Sequence, residues 1–285
     1  MKPPVGFIGL GNMGEGMASN IARAGFALSV RDIRQEPLDR LAALGATPVG
    51  SCYEIGQCSN IVCIALFDEA QVRQACLPNG DDQGVFAGMA AGGIVTIHST
   101  VPAELTQELA QAGRARGITV IDAPMTGGGG AAADAGKLTF FLGGDEAAIE
   151  TARPVLAAMA QHLFHVGEVG AGSTTKILSN FLAISNVLLV REAQRLARSC
   201  GIDEERWRSV INAGGVGSSW VSNNWHIIQA QEEVYTTGAA GMVAMASKDL
   251  HLARQLHQQL GVAMPILDHL VDHALPELGN NGLTR

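Results

Sequence analysis

VGFIGLGNMGEGMASNIARAGFALSVRD, residues 5–32, shows a strand, a helix and a second strand in immediate succession. A short apolar run at residues 5–8 is followed by glycines and by a helix-like segment from Glu15 to Ala24. A glycine turn then leads to a second apolar run, Phe26 to Val30, which ends near Asp32. This order predicts a β-α-β unit at the start of the chain.

The loop between the first strand and the helix matches the dinucleotide-binding fingerprint G-x-G-x-x-G. Its six residues are Gly9, Leu10, Gly11, Asn12, Met13 and Gly14. The first glycine permits a tight turn, the second lets the backbone approach a pyrophosphate, and the third lets the helix pack on the strand. Asp32, eighteen residues after the last glycine, is placed to bind ribose hydroxyls. We therefore expect a bound dinucleotide; the alternative is a glycine turn that binds nothing.

The composition is that of a folded protein with room for two domains. The chain has 285 residues, of which 47% are hydrophobic and 16% are charged, so it can bury a large core. The net charge of −8 and the lack of a basic patch argue against nucleic acid as a partner. An anionic substrate is still compatible with this balance, because local cations can outweigh the average.

We expect a soluble, cytoplasmic protein with no membrane association. The N-terminus is too short and too rich in glycine for a signal peptide. The most apolar later run, Phe181 to Val190, is interrupted by Ser185 and Asn186 and is too short to span a bilayer. Five cysteines, an odd number, fit a reducing compartment better than a disulfide framework.

Two sets of residues could in principle bind a metal, but neither has a convincing pattern, and we expect no metal. Four cysteines lack any C-x-x-C pair, and one of them lies inside an apolar run. Two histidines one helical turn apart, with an aspartate nearby, are more typical of a solvated helix face. These residues are Cys52, Cys58, Cys63, Cys76, His269, His273 and Asp272.

Alternating strands and helices continue to residue 166 and predict a Rossmann-type, doubly wound α/β domain over residues 1–166. Further strands are predicted at 47–49, 60–66, 92–97, 118–121, 138–144 and 163–166, and helices at 34–45, 103–115 and 146–159. The segment 51–58 is a short helix or a turn.

Residues that follow two of these strands are candidates for cofactor contacts. Leu66 and Phe67 end one apolar strand, and Ser99 and Thr100 follow the next. Ligands of open α/β sheets bind beyond the carboxyl ends of the strands, so Leu66 and Phe67 are expected to touch the dinucleotide. The alternatives are that Phe67 is ordinary core and that Thr100 caps the following helix.

A glycine-rich loop follows the predicted strand at 118–121. Thr126 precedes four consecutive glycines, residues 127–130. Backbone N–H groups of such a loop can form a concave site for a carboxylate. The alternative is a flexible turn.

The pattern becomes helical after residue 166, and residues 167–285 are predicted to form an all-α domain for substrate binding and oligomerisation. No glycine or proline interrupts residues 173–200, and further helices are predicted at 203–212, 219–229, 239–260 and 265–278. The long helix has an apolar stripe formed by Ile177, Phe181, Ile184, Leu188, Leu189 and Leu196. Trp220 and Trp225 either line a substrate pocket or pack between helices.

Lys176 and Asn180 lie one turn apart on a shared face near the start of this long helix. They would lie at the domain junction, a common place for a cleft. A lysine that is removed from water releases its proton more readily and can exchange it with a substrate oxygen. The alternative is a surface lysine at a helix start.

Four motifs in the same order resemble the β-hydroxyacid dehydrogenase family, which includes 3-hydroxyisobutyrate dehydrogenase and tartronate semialdehyde reductase. The family motif G-x-x-G-x-G-x-M-G matches residues 6–14, and D-A-P-V-S-G-G matches residues 122–128. The motif G-x-G-x-x-x-K-x-x-N-N aligns with residues 170–180, and a late K-D pair is found at residues 248–249. The resemblance covers essentially the whole chain.

The resemblance implies an NAD(P)-dependent oxidoreductase that transfers a hydride to or from a short 3-hydroxy acid. It implies that Lys176 is the catalytic acid/base and that the substrate carboxylate is held by three loop residues with help from Asn180. Thr100 would lie against the nicotinamide ribose, and Lys248 would reach the cofactor. The three loop residues are Thr126, Gly127 and Gly128.

Three departures from the family pattern concern the substrate more than the reaction. Thr126 replaces the usual Ser, Ser179 replaces the first Asn of the N-N pair, and Ile97 stands where many relatives have Asp. Reduction of glyoxylate, succinic semialdehyde or another small carbonyl or imine is therefore an alternative. A non-catalytic dinucleotide-binding module is a second alternative, which the pairing of Lys176 with Asn180 disfavours.

The acidic residue after the second strand favours NAD, although NADP is possible. Asp32 would repel a 2′-phosphate, and the flanking Arg31 and Arg34 would soften that preference. The apolar faces of the helical half predict self-association, as a homodimer or homotetramer.

Overall fold

The computed structural model of the chain describes residues 2–279 and 281–284. The chain divides into two units, Met1–Lys176 and Ile177–Arg285, called here the first and the second unit. The assignment of functions to domains 1–166 and 167–285 stays a prediction, since a boundary drawn from contacts and one drawn from function need not coincide.

A nine-stranded sheet forms the centre of the first unit, in the order β3-β2-β1-β4-β5-β6-β8-β7, with β9 paired to β8. Its strands are β1 Val5–Ile8, β2 Leu28–Arg31, β3 Thr47–Pro48, β4 Ile61–Ile64, β5 Ile94–Ile97, β6 Thr119–Asp122, β7 Met125–Thr126, β8 Leu138–Gly143 and β9 Ala160–Gly167. The strands from β3 to β6 are parallel, and every residue of β1, β4 and β5 is buried. This burial explains the continuous apolar runs. The direction of winding reverses between β1 and β4, which is where open α/β sheets bind ligands.

Helices cover both faces of the sheet, which confirms the doubly wound fold. They are α1 Gly14–Arg23, α2 Gln35–Ala43, α3 Cys52–Cys58, α4 Glu69–Cys76, α5 Val85–Gly88, α6 Ala103–Arg114, α7 Gly130–Asp134 and α8 Glu146–Met159. One core contains apolar residues of α1, α2 and α8, and a second contains those of α3, α4, α5 and α6.

The sheet departs from a uniform series of parallel repeats after β6. Strand β8 is antiparallel to β6, and the two-residue strand β7 pairs antiparallel with Thr139 and Phe140 of β8. The glycine-rich loop therefore starts from a paired strand, and its role in holding a carboxylate stays a prediction. Two residues are too few to show strand periodicity, which is why the sequence did not predict β7.

The described part of the second unit consists of helices and loops. Helix α9, Ala171–Ser199, begins in the first unit and is followed by α10 Glu204–Gly214, α11 Trp220–Asn223, α12 Trp225–Val234, α13 Gly238–Leu260, α14 Pro265–His269, a π-helical turn Leu270–Ala274 and α15 Leu275–Leu278. Trp225 is 2% exposed and packs in the helical core, whereas Trp220 is 55% exposed.

Part of the predicted stripe of α9 is wrong. Ile177, Ile184 and Leu188 are buried, but Leu189 is 58% and Leu196 is 67% exposed. Successive residues of a helix point about 100° apart, so Leu188 and Leu189 cannot both face the core.

Helix α9 is longer than its apolar run of ten residues suggested. Ser185 and Asn186 lie within the helix, and their side chains donate to the carbonyls of Phe181 and Leu182, one turn earlier, at 2.6 and 2.8 Å. Among the described residues, α9 alone is long and apolar enough, by length and composition, to cross a membrane. The prediction of no membrane association concerned the run Phe181 to Val190, which is only part of this helix, and it stays a prediction. The core helix of a soluble protein meets the same criteria, so this indication is weak.

Candidate active site

The three fingerprint glycines meet different steric demands. Gly9 has a φ of +92°, and a Cβ on it would lie 2.3 Å from the carbonyl oxygen of Ala65. A Cβ on Gly14 would lie 1.9 Å from the carbonyl oxygen of Gly9, whereas one on Gly11 would meet no atom within 4 Å. The fold therefore requires Gly9 and Gly14. Gly11 leaves open the space that a pyrophosphate would use, so this loop fits a dinucleotide.

The first turn of α1 also fits an anionic ligand. Met13 occupies the N-cap position, and its side chain makes no capping hydrogen bond. The positive end of the helix dipole lies at this turn, where phosphate groups bind in many proteins.

Asp32 is tied to the fingerprint loop and to Arg34. Its Oδ2 accepts the N–H of Leu10 at 2.6 Å, and its Oδ1 accepts the backbone N and Nε of Arg34 at 2.9 and 3.1 Å. The guanidinium of Arg34 also donates to the carbonyl of Leu10 at 2.6 Å. Burial raises the pKa of Asp32, but the hydrogen bonds from Arg34 and Leu10 outweigh it and hold this pKa below its ordinary value. The carboxylate has about four acceptor positions, so one is left for a ribose hydroxyl.

The strand-end residues lie beside this loop. The backbone N–H of Leu66 donates to Ser99 Oγ at 2.8 Å, and the Leu66 side chain is 2.9 Å from the Cβ position of Gly9. Phe67 is 46% exposed, so the alternative that it is ordinary core is wrong. Pro102 occupies the N-cap position of α6, two residues after Thr100, so Thr100 is not the N-cap residue of this helix.

The glycine-rich loop is packed against the fingerprint loop. Gly127, Gly128 and Gly129 have φ values of +142°, +97° and +85°. Gly130 starts α7, and a Cβ on it would lie 3.0 Å from the carbonyl oxygen of Asn12. Asn20 of α1 donates to the carbonyl of Ala133 in α7 at 2.7 Å. The predicted carboxylate site therefore adjoins the predicted phosphate site within the first unit.

The buried carboxylate of Asp249 joins Asn180 and Lys248 in the second unit. Asn180 Nδ2 donates to Asp249 Oδ2 at 2.5 Å, and Lys248 Nζ pairs with Oδ1 at 2.6 Å. Asp249 is only 1% exposed. Because the amide nitrogen of Asn180 donates to Asp249, the amide oxygen of Asn180 points away from that carboxylate. Lys176, one turn before Asn180 on α9, is half-buried.

Sequence reasoning missed the roles of two aspartates. Asp249 holds Asn180, and Asp122 holds the start of α9 through the N–H groups of Gly170 and Ser173. The available signal was their place in the D-A-P and K-D motifs.

The weak metal candidates have other contacts. The rings of His269 and His273 lie 4.7 Å apart, and Asp272 accepts from Arg254 at 2.6 Å. All five cysteines are free. Within residues 2–279 and 281–284, no group of three or more His, Cys, Asp or Glu side chains is arranged to bind a metal.

The fold and the fingerprint loop define the chain as a dinucleotide-binding protein. Residues 4–167 match the NAD-binding domain of 6-phosphogluconate dehydrogenase, and residues 170–282 match the NAD-binding domain of NADP-dependent 3-hydroxyisobutyrate dehydrogenase. The NAD-dependent L-serine dehydrogenase of Pseudomonas aeruginosa is 34% identical over 92% of this chain and 88% of its own.

Two solved structures extend this similarity over the whole chain. A 3-hydroxyisobutyrate dehydrogenase from Salmonella typhimurium has a TM-score of 0.84 and 30% identity, covering 98% of this chain and 95% of its own. The Mycobacterium tuberculosis 3-hydroxyisobutyrate dehydrogenase solved with L-serine has a TM-score of 0.83 and 26% identity, covering 100% and 96%. The chain belongs to the β-hydroxyacid dehydrogenase family, and its cofactor is a nicotinamide dinucleotide.

Proposed function

We propose that this enzyme transfers a hydride reversibly between NAD and a short 3-hydroxy acid similar to 3-hydroxyisobutyrate, with Lys176 as the general acid/base. Relatives are named for L-serine and for 3-hydroxyisobutyrate. Both compounds have a carboxylate, a primary alcohol on C3 and one small substituent on C2. The observation that carries the proposal is the glycine-rich loop after Thr126, whose Gly130 lies against the Asn12 carbonyl of the fingerprint loop.

The residues of the chain would bind the substrate and move its proton. The carboxylate would be held by Thr126, Gly127 and Gly128, with Asn180 assisting. Neutral Lys176 Nζ would accept the C3 hydroxyl proton as the C3–H bond breaks and return it in the reverse reaction. The bound oxidised cofactor supplies a hydride acceptor.

We propose NAD as the preferred cofactor, in contact with the fingerprint residues and with Leu66, Phe67, Thr100 and Lys248. The carboxylate of Asp32 would repel the 2′-phosphate of NADP, and the guanidinium of Arg34 would offset part of that repulsion.

Asp32→Ala is expected to shift the ratio of the Kd values for NAD and NADP toward NADP by roughly tenfold, about 1.4 kcal/mol. Arg34→Ala, the matched variant, is expected to shift it toward NAD, because the carboxylate loses its neutralising partner. Calorimetric titration with both cofactors measures the two ratios without any substrate. Shifts in the same direction in both variants would contradict the assignment.

The proposed reaction is tested by following reduced nicotinamide absorbance with NAD and a panel of acids. We expect turnover of L-serine or 3-hydroxyisobutyrate and none of lactate, a 2-hydroxy acid that serves as control. The reverse panel offers the corresponding aldehydes, glyoxylate and succinic semialdehyde with reduced cofactor. Turnover of glyoxylate or succinic semialdehyde alone would favour the alternative function, a reductase of another small carbonyl compound. The extra methyl group of Thr126, which can reshape the pocket, motivates that alternative.

We also propose that the enzyme works in the cytoplasm as a homodimer or homotetramer. Support for self-association comes from apolar side chains of α9 that are about half exposed in the single chain. These are Leu178, Leu182, Leu189 and Leu196, at 47%, 61%, 58% and 67% exposure. Light scattering of the purified protein gives the number of subunits.

A further inference from the structure

A carboxylate at the end of β6 binds the first turn of the helix that carries Lys176. Asp122 Oδ1 accepts the N–H of Gly170 at 2.8 Å, and Oδ2 accepts the N–H of Ser173 at 2.7 Å. Helix α9 begins at Ala171, so these donors are backbone groups that a helix start leaves without an intrahelical partner. The negative charge also lies at the positive end of the helix dipole.

The surroundings of this carboxylate are fitted closely to it. Asp122 is fully buried. A Cβ on Gly143 would lie 2.5 Å from its Oδ1, and one on Gly172 would lie 2.9 Å from its Oδ2. Burial raises the pKa of Asp122, and the N–H groups of Gly170 and Ser173 oppose this effect. Burying a carboxylate costs free energy, whereas an exposed side chain could cap the helix without that cost. Capping alone therefore does not explain why a carboxylate is buried at this position.

We propose that Asp122 is a positioning residue for catalysis, which sets Lys176 relative to the substrate loop. The loop residues through Gly128 follow Asp122 directly in the chain, and Lys176 lies one turn after Ser173. One side chain therefore connects the segment proposed to hold the carboxylate with the helix proposed to supply the base. This inference rests on the proposed function of Lys176.

Ser173 provides a clean control for the hydrogen bonds of Asp122. Its backbone N–H binds Asp122, but its Oγ is buried and has no hydrogen-bond partner among the described residues. Ser173→Ala thus removes a hydroxyl without touching the contact. Asp145 provides a second control, because it caps α8 through the N–H of Ala148 at 2.9 Å, in the same unit.

Asp122→Asn presents an amide N–H where the carboxylate accepted one, so the first turn of α9 shifts. We expect kcat to fall by roughly 10- to 100-fold, the scale of a small misplacement of a catalytic group. The KM and the Kd for NAD should stay within about twofold of wild type, since the proposed cofactor loop is intact. Ser173→Ala and Asp145→Asn should keep wild-type kcat, since asparagine caps a helix about as well as aspartate.

A double-mutant cycle separates positioning from general destabilisation. If Asp122 acts through Lys176, Asp122→Asn will not lower the residual rate of Lys176→Ala further. If Asp122→Asn does not fold, Asp122→Ser leaves a smaller side chain whose hydroxyl oxygen can still accept one N–H group, and it should show the same loss of kcat.

The outcomes distinguish the two claims. Wild-type turnover in Lys176→Ala would refute the proposed function. An inactive Lys176→Ala together with a normal kcat in Asp122→Asn, or equal losses in Asp122→Asn and Asp145→Asn, would refute only the positioning role.

Discussion

Lys176→Ala is expected to lower kcat by roughly 10²- to 10⁴-fold, which is the usual contribution of a positioned acid or base. The variant loses the group that accepts the hydroxyl proton while the C3–H bond breaks. The fingerprint loop of residues 9–14 is unchanged, so the Kd for NAD should stay near the wild-type value. Stopped-flow absorbance with saturating substrate measures the loss.

Two further variants sharpen this result. Lys176→Arg keeps the positive charge but cannot release a proton near neutral pH, so it should be almost as slow as Lys176→Ala. Lys2→Ala is the matched control, because it removes an exposed lysine whose described contacts are with the Ala24 carbonyl and the Phe26 ring. This variant should behave as wild type. Near-normal turnover in Lys176→Arg would show that charge, and not proton transfer, is the contribution of Lys176.

Gly14→Ala is expected to destabilise the first unit by roughly 3 kcal/mol or more, at the upper end of overpacking effects. Its Cβ would lie 1.9 Å from the carbonyl oxygen of Gly9 and 3.2 Å from the Phe7 ring, and a backbone oxygen cannot move aside cheaply. Chemical denaturation followed by circular dichroism measures the change.

Gly11→Ala is the matched variant and separates folding from binding. Its Cβ meets no atom within 4 Å, so the stability should change little. The same methyl would occupy the space of the pyrophosphate, and the loss of one hydrogen bond to a charged group costs roughly 1.5–3 kcal/mol. The Kd for NAD should therefore rise by roughly tenfold or more. Normal NAD affinity in Gly11→Ala would mean that the cofactor does not approach this loop.

The sequence predicted those features whose physical demands are local. The positive φ of Gly9 and the contact of Gly14 with the Gly9 carbonyl lie within one β-α-β unit, so the glycines alone indicated them. The close approach of Gly9 to the carbonyl of Ala65, 56 residues away, was not indicated. Most of the length of α9 was also predictable, because no glycine or proline interrupts residues 173–199.

Contacts between residues far apart in the chain could not be predicted from the sequence pattern. Asp122 and Gly170 are 48 residues apart, and Asn180 and Asp249 are 69 apart, so no periodicity or spacing indicated either contact. The resemblance marked these aspartates as motif members without giving a physical reason for them. Strand β7 was missed for a related cause, since its two residues are held by pairing with β8.

The most direct test of the account follows the hydrogen on C3. The most reactive acid of the panel, deuterated on C3, is incubated with wild-type protein and NAD, and the reduced cofactor is analysed by mass spectrometry. Direct transfer from C3 predicts one deuterium in every reduced cofactor molecule, and roughly 10²- to 10⁴-fold less deuterated cofactor with Lys176→Ala over the same time. Reduced cofactor that carries no deuterium would contradict oxidation at C3 and, with it, the proposed reaction.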